Sequence, residues 1–206
     1  APGEVTNFVV PADAPGYVAG PPMRKIGWKA SDTRPLNFDD LRLAPDALLG
    51  TRGEGFRQFL KVLDGGRISV GAMGLGLAQG AFEMALHHAK QRRQFGKALV
   101  GFQSVQFTLA DMATEIAQAR GLLYLAGRMK DAGERFTKAA AMAKLVTGRL
   151  AQTVAERALH LHGGYGWMEE SPIARFYRDA KILDIGEGTV EVQKMVIARA
   201  IGAYEE

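Results

Sequence analysis

The distribution of proline divides this chain into two regions with different folding possibilities. Residues 1–50 contain seven of the eight prolines, and after them the only proline is Pro172. Because proline lacks a backbone N–H and disrupts the interior of a helix, long helices are disfavoured in the first region and permitted in the second. Apolar residues of the first region alternate at Leu36, Phe38, Leu41 and Leu43, with a break at Asp39-Asp40. This alternation predicts strands and turns.

The second region carries apolar stripes with the three-four spacing of α-helices. The clearest stripe consists of Phe102, Val105, Leu109, Met112, Ile116, Ala119, Leu123 and Ala126. A second consists of Met142, Val146, Leu150, Val154, Ala158 and Leu161, and a third lies between Phe59 and Leu86. The predicted helices are interrupted near Gly96–Gly101 and Gly133. A short closing helix is predicted after Thr189. This pattern predicts a mainly α fold: an antiparallel up-down four-helix bundle preceded by a partial β domain.

The composition narrows the possible functions. The 206 residues, 47% of them hydrophobic, can bury one good core. The chain has no cysteine, which excludes disulfides, thiolate catalysis and cysteine-ligated zinc or iron–sulfur sites within it. A formal charge of +4 suits a polyanionic ligand such as CoA or a dinucleotide. Nucleic-acid binding is not expected, because the positive charges are scattered among 22 acidic residues.

Neither a membrane span nor a signal peptide is expected. The most apolar stretch, residues 70–86, is interrupted by Gln79 and Glu83 and contains four glycines. The first residues show no charged segment followed by an apolar one. The compartment is left open by the sequence, with the cytoplasm as the default expectation.

One carboxylate, Glu187, lies between two glycines, after an apolar run and just before a predicted helix. Flanking glycines allow a substrate and a cofactor to come close to the carboxylate and to the neighbouring backbone N–H groups. Thr189 can cap the following helix, whose free N–H groups favour an oxygen carrying negative charge. Local chemistry leaves two interpretations open: a general base, or a residue at a helix start between turn glycines.

Two further polar clusters lie where predicted helices end. Residues 90–97 combine an arginine pair, an aromatic ring and amide side chains, and they precede Gln103. These groups can complement the helix dipole or hold a pyrophosphate and a purine, and chemistry alone does not choose. The segment HLHGGYG at 160–166 has paired glycines that can cap a helix or let a dinucleotide approach the backbone. No metal site is predicted, because its two histidines have no evident third ligand.

Together these residues resemble one family, the acyl-CoA dehydrogenases. The matching pieces are Ser31-Asp32-Thr33-Arg34, Asp64 through Arg67, RRQFGK at 92–97 with Gln103, HGGYGW at 162–167, RDAK at 178–181 and EGT at 187–189. Six pieces in family order are specific, although each is weak alone. The resemblance implies a partial middle β domain at residues 1–50 and a C-terminal helical bundle domain at residues 51–206. It also implies a longer enzyme with an amino-terminal half, so that this chain is expected to be a fragment.

The resemblance implies a reaction and assigns residues to it. In this family, which includes enzymes of fatty acid β-oxidation, a carboxylate removes the α proton of an acyl-CoA while the β hydrogen leaves as hydride to FAD. Glu187 matches the base, whereas an alternative base position of some members falls on Gly66, which has no side chain. The implied FAD contacts are Arg92, Phe95, Gln103, His160, Gly164 and Thr189. The implied acyl-CoA contacts are Asp64, Arg67 and Gly188.

The resemblance further implies partners and leaves alternatives. A flavin site shared between subunits implies a homo-oligomer, a dimer or a tetramer, and the expected electron acceptor is electron-transfer flavoprotein or a similar protein. His160 replaces the usual glutamine at an FAD contact, and Gly186 replaces a common tyrosine, which hints at a bulky or branched acyl group. One alternative is a non-catalytic helical oligomerisation fragment without a complete flavin site. Another is a relative of the same fold, such as an acyl-CoA oxidase or a DNA-associated protein.

Overall fold

A computed structural model describes residues 4–203 of the chain. The chain divides into two compact units, with the junction between Leu63 and Asp64. The junction lies inside the first helix, α1 (Gly55–Gln91). The assignment of residues 1–50 and 51–206 to separate domains stays a prediction.

Before α1, the first unit consists of short strands joined by turns, with a 3₁₀ helix at Pro45–Ala47. Strand β1 (Asn7–Phe8) pairs antiparallel with β4 (Leu48–Leu49), and β2 (Tyr17–Ala19) pairs antiparallel with β3 (Leu36–Phe38). In the second pair, the rings of Tyr17 and Phe38 lie opposite each other, with centroids 5.6 Å apart. The predicted break is found where β3 ends, and Asp40 has a φ of 45°. The predicted alternation does not continue as a strand, because Leu41 and Leu43 lie outside β3.

Residues 4–203 contain five α-helices, and 64% of these residues are helical when the short 3₁₀ helices are included. After α1 these are α2 (Gln103–Asp131), α3 (Thr137–His162), α4 (Pro172–Ala180) and α5 (Val190–Ala200). A hairpin of β5 (Arg93–Gln94) and β6 (Lys97–Ala98) connects α1 to α2, and a turn with Gly133 at positive φ connects α2 to α3. The predicted mainly α fold is confirmed. The short helix α4 was not predicted.

The core is built around α3, which packs against α2, α4 and α5. Its buried face consists mainly of small side chains, namely Ala139, Ala140, Ala141, Ala143, Gly148, Ala151, Ala155 and Ala158. These let other helices approach closely, so that a Cβ on Gly74 of α1 would lie 2.8 Å from the carbonyl oxygen of Thr147. The α2 stripe from Leu109 to Ala126 is buried as predicted. The α3 stripe was wrong at Val146, which is 39% exposed.

None of the helices within residues 4–203 combines the length and the apolar character needed to cross a membrane.

Candidate functional site

Glu187 lies in a loop that connects a 3₁₀ turn at Lys181–Asp184 to α5. Glu187 and the following Gly188 both have positive φ, at 55° and 93°. Gly188 adopts this conformation freely, whereas a side chain makes it uncommon, and strained residues of this kind occur at functional sites. Thr189 is the N-cap of α5, and its side-chain oxygen accepts a hydrogen bond from the N–H of Val192 at 3.5 Å. We call residues 187–189 the base loop.

The carboxylate of Glu187 lies over Gly66 of α1. A Cβ placed on Gly66 would be 2.5 Å from Oε2 of Glu187 and 3.1 Å from its Cδ. Real Cβ atoms do not approach other atoms so closely, so glycine at position 66 leaves the space that this carboxylate occupies. Glu187 is otherwise exposed, which leaves its carboxylate accessible.

Two buried side chains contact the backbone of the base loop. Lys144 of α3 is 1% exposed, and its ammonium donates a hydrogen bond to the carbonyl oxygen of Gly188 at 2.6 Å. Gln193 of α5 is fully buried, and its Nε2 donates to the carbonyl oxygens of Glu187 at 3.1 Å and Gly188 at 2.9 Å. Both carbonyl oxygens therefore have buried donors.

The environment of Lys144 disfavours its charged form. Burial lowers the pKa of Lys144 below its ordinary value of 10.5. The carboxylates of Asp184 and Glu187 oppose this shift, whereas the positive charge of Arg67 adds to it. One oxygen of Asp184, Oδ1, is itself buried and has no hydrogen-bond partner among the described residues. The base loop therefore sits above a buried group of charges.

The two predicted acyl-CoA residues of α1 pair with each other beside Gly66. Arg67 is 4% exposed and forms an ion pair with Asp64. The other carboxylate oxygen of Asp64 accepts a hydrogen bond from the hydroxyl of Thr137 at 2.8 Å. The buried Nε of Arg67 has no partner within residues 4–203. Buried polar groups are normally hydrogen-bonded, so this unpaired N–H is unusual.

A cavity of about 570 Å³ lies where α1 and α3 end. Its polar lining includes His88, Arg92, Gln94, His162, Gly164 and Tyr165. The rings of His88 and His162 stack, with centroids 4.3 Å apart. Burial lowers the pKa of His88 below its ordinary value of 6.5, and the charges of His162, Arg92 and His87 act in the same direction.

The structure brings two of the predicted FAD residues, Arg92 and Gly164, to this cavity. Phe95 lies in the turn between β5 and β6, 91% exposed, with its ring edge-on to Phe102. Gln103 is exposed at the start of α2. The remaining two lie elsewhere: His160 lines a second cavity of about 420 Å³, and Thr189 lies in the base loop. Within the described part of one copy, the predicted FAD residues therefore do not line one cavity.

The sequence did not reveal the two residues that hold the base loop. Lysine is ordinarily exposed, so Lys144 was not predicted to be buried. The available signal was its position beside Ala143 in an alanine-rich segment, AAAMAK at 139–144. Gln193 gave no comparable signal, because a glutamine in the first turns of a helix is ordinary.

The sequence profile described as "Acyl-CoA dehydrogenase, C-terminal domain" matches residues 53–202. The chain belongs to the acyl-CoA dehydrogenase family. The resemblance drawn from the six motifs is therefore confirmed.

Individual relatives agree with the acyl-CoA dehydrogenase assignment. "Probable acyl-CoA dehydrogenase YngJ" of Bacillus subtilis is 44% identical over 197 residues, which are 96% of this chain and 52% of that protein. The solved structure of butyryl-CoA dehydrogenase from Megasphaera elsdenii is 44% identical, with a TM-score of 0.94 over 97% of this chain and 52% of that chain. A chain in the structure of the electron transferring flavoprotein of Acidaminococcus fermentans is 41% identical, with a TM-score of 0.93 over 95% of this chain and 52% of that chain. The chain thus spans about half the length of the curated relatives it matches.

Proposed function

We propose that this chain supplies the carboxy-terminal half of an FAD-dependent acyl-CoA dehydrogenase that introduces an α,β double bond into an acyl-CoA thioester. The observation that carries the proposal is the placement of Glu187. Its accessible carboxylate projects from a loop with positive φ that two buried side chains hold from below.

Glu187 is the proposed catalytic base. Its carboxylate accepts the α proton of the acyl-CoA, while bound FAD supplies the acceptor for the β hydride. The backbone N–H of Glu187 is proposed to donate to the thioester oxygen, which makes the α carbon more acidic. Because Gly66 has no side chain, the carboxylate can lie over α1 without a steric clash.

The ion pair beside Glu187 is the proposed contact for acyl-CoA. Arg67 is buried and forms an ion pair with Asp64, which holds its positive charge next to Gly66, over which the Glu187 carboxylate lies. Thr137 in turn orients Asp64. Gly188 is the third proposed acyl-CoA contact, and a Cβ there would lie 2.8 Å from Nε2 of Gln193, so glycine leaves the space that this buried amide occupies.

The cavity at the ends of α1 and α3 suits part of FAD. Arg92 can pair with the diphosphate, and the backbone at Gly164 is open, since a Cβ there would meet nothing within 4 Å. Tyr165 and the stacked imidazoles offer flat faces for a ring system. These donors and surfaces fit a dinucleotide. Phe95, Gln103, His160 and Thr189 remain proposed FAD contacts.

A flavin that extends across two copies of the chain would account for the separation of these residues. We therefore propose a homo-oligomer, a dimer or a tetramer. Electron-transfer flavoprotein or a similar protein is the proposed electron acceptor, in keeping with the matched chain from the structure of that protein in Acidaminococcus fermentans. A cytoplasmic location stays a prediction.

The acyl group can be tested directly. Gly186 leaves room before the base and favours a bulky or branched acyl chain, whereas the butyryl-CoA dehydrogenase relative favours a short straight one. Comparison of the flavin reduction rates with butyryl-CoA and isobutyryl-CoA separates the two. A rate confined to butyryl-CoA would contradict the proposal of a branched substrate.

Replacement of Glu187 by glutamine tests the base. In the full-length flavoenzyme we expect Glu187→Gln to retain FAD but to reduce the rate of acyl-CoA-dependent flavin bleaching by at least roughly 100-fold, because a proton acceptor is lost. Stopped-flow absorbance measures the rate. Glu170→Gln is the matched control, since Glu170 is exposed and lies outside the proposed site. Bleaching at the wild-type rate in Glu187→Gln would remove Glu187 from the role of base.

Uptake of FAD by the 206-residue chain itself tests the cofactor half of the proposal. Titration with FAD, followed by visible absorbance and flavin fluorescence, shows whether the cavity holds the dinucleotide without further protein. Binding that is lost in Arg92→Met supports the cavity. Absence of uptake would favour the alternative, a helical oligomerisation fragment whose flavin site is incomplete.

A further inference from the structure

We infer that Lys144 and Gln193 are positioning residues for the general base, holding the base loop through its carbonyl oxygens. The inference rests on the proposed function of Glu187 and adds two residues to it. Neither side chain contacts the carboxylate of Glu187 through a hydrogen bond. Both act on the backbone that carries it.

The backbone of the base loop needs such support. Positive φ at Glu187 is uncommon for a residue with a side chain, and a strained residue persists only where its surroundings determine its conformation. Three hydrogen bonds from the two buried donors fix the carbonyl oxygens of Glu187 and Gly188. Because these two peptide groups are planar, fixing their oxygens also fixes their orientation. The direction in which the Glu187 side chain leaves the backbone follows from that orientation, and the side chain extends over Gly66.

The chemistry of Lys144 indicates a role other than packing. Burial of an ammonium costs free energy, and an apolar residue of similar shape would pack in the same place without that cost. Burial remains the largest influence on the pKa of Lys144, which is lowered although the carboxylates of Asp184 and Glu187 oppose the shift and Arg67 adds to it. What Lys144 provides, and methionine would not, is a strong donor aimed at Gly188.

Gln193 approaches the same carbonyl oxygen from α5. Its Oε1 is buried and has no hydrogen-bond partner among the described residues, so its amide is committed to donating rather than accepting. Lys144 belongs to α3 and Gln193 to α5, so the base loop is held from two separate helices. We expect the two donors to act as one unit, with effects that are not additive.

Substitution by methionine tests the inference in the full-length flavoenzyme. We expect Lys144→Met to remain folded, since methionine fills the same space, but with lower thermal stability, because the carboxylates of Asp184 and Glu187 lose a nearby positive charge. Its kcat should fall by roughly 10- to 100-fold, because displacement of a catalytic group by about 1 Å costs that much, while KM for acyl-CoA changes little. Lys138→Met is the matched control, since Lys138 is exposed on the same helix.

Amide hydrogen exchange provides a readout that does not depend on catalysis. In Lys144→Met the amides of residues 187–190 should exchange faster, while those of α2 keep their wild-type rates. Gln193→Met should give the same pattern, and it keeps the inference testable if Lys144→Met fails to fold. The double variant should lose little more kcat than the stronger single variant.

The outcomes separate this inference from the proposed function. Unchanged kcat and unchanged exchange of residues 187–190 in both single variants would overturn the positioning role. A loss of kcat that only follows the folded fraction would reduce the two residues to structural ones and overturn it as well. If no acyl-CoA bleaches the flavin absorbance of the wild-type enzyme, the proposed function is wrong. The exchange data would then still show whether Lys144 and Gln193 hold the base loop.

Discussion

A side chain at position 66 would crowd the carboxylate of Glu187 and force it to shift. The place of a Cβ on Gly66 lies 2.5 Å from Oε2 of Glu187. The glycine is therefore part of the site through the space it leaves, although it has no chemistry of its own.

Substitution at Gly66 should disturb the base without removing it. We expect Gly66→Ala to lower kcat by roughly 10- to 100-fold, because the new methyl group displaces the carboxylate. FAD absorbance and helix content should remain. Gly65→Ala is the matched control, since a Cβ on Gly65 would lie 3.6 Å from Nζ of Lys130, an ordinary contact. Equal kcat for the two variants would show that the carboxylate moves aside without consequence.

At the scale of elements, α1 contains glycines that serve the packing of α3. A Cβ on Gly74 would meet the carbonyl of Thr147 at 2.8 Å, whereas a Cβ on Gly76, two residues later, would meet nothing within 4 Å. Backbone atoms cannot move aside like the end of a flexible side chain. One glycine is thus required by the contact between helices, and the other is not.

These two glycines make a matched pair for a stability measurement. We expect Gly74→Ala to lower the free energy of unfolding by about 1–3 kcal/mol, because α1 must move away from α3. Gly76→Ala should raise it by about 0.5–1 kcal/mol, because alanine loses less conformational entropy in a helix. Urea denaturation followed by circular dichroism measures both. Destabilisation by both substitutions to the same extent would contradict the close packing at Gly74.

At the scale of the whole molecule, the stacked pair of His88 and His162 makes the free energy of unfolding depend on pH. The pKa of His88 is lowered in the folded protein, so below pH 6.5 the unfolded chain binds more protons at this residue than the folded one. The contribution of neutral His88 to the free energy of unfolding is fully present above pH 6.5. It is lost as the pH falls through the pKa of His88 in the folded protein. Groups that oppose its protonation are His162, Arg92 and His87.

Phenylalanine at position 88 keeps a flat ring but cannot titrate. Between about pH 7.5 and about pH 5.5 we expect the wild type to lose stability relative to His88→Phe. Thermal unfolding of both proteins across this range measures the difference. Parallel curves would show that His88 does not contribute to the acid sensitivity.

The sequence predicted the helices better than the site, for physical reasons. The α2 stripe from Leu109 to Ala126 was predictable because a period of apolar residues reports which face is buried. On α3 the rule failed at Val146, because the buried face there is made of alanines and Lys144 rather than large apolar residues. Glu187 was predicted as a site residue from the order of the motifs, after its flanking glycines had left two interpretations open. Lys144 and Gln193 were not, since their role depends on carbonyl oxygens that a sequence does not display.

The hydrogen bonds from Lys144 and Gln193 to the base loop affect how readily the residue at position 187 can be replaced. Lys144 and Gln193 bind carbonyl oxygens, which every amino acid possesses, so these hydrogen bonds do not require a particular side chain at position 187. Natural variation or protein engineering can therefore exchange that side chain while the loop keeps its course. Residues compatible with positive φ, such as asparagine and aspartate, are the mildest replacements. The same hydrogen bonds that position Glu187 thus allow position 187 to be substituted. New reactions can be tried there without redesign of the fold.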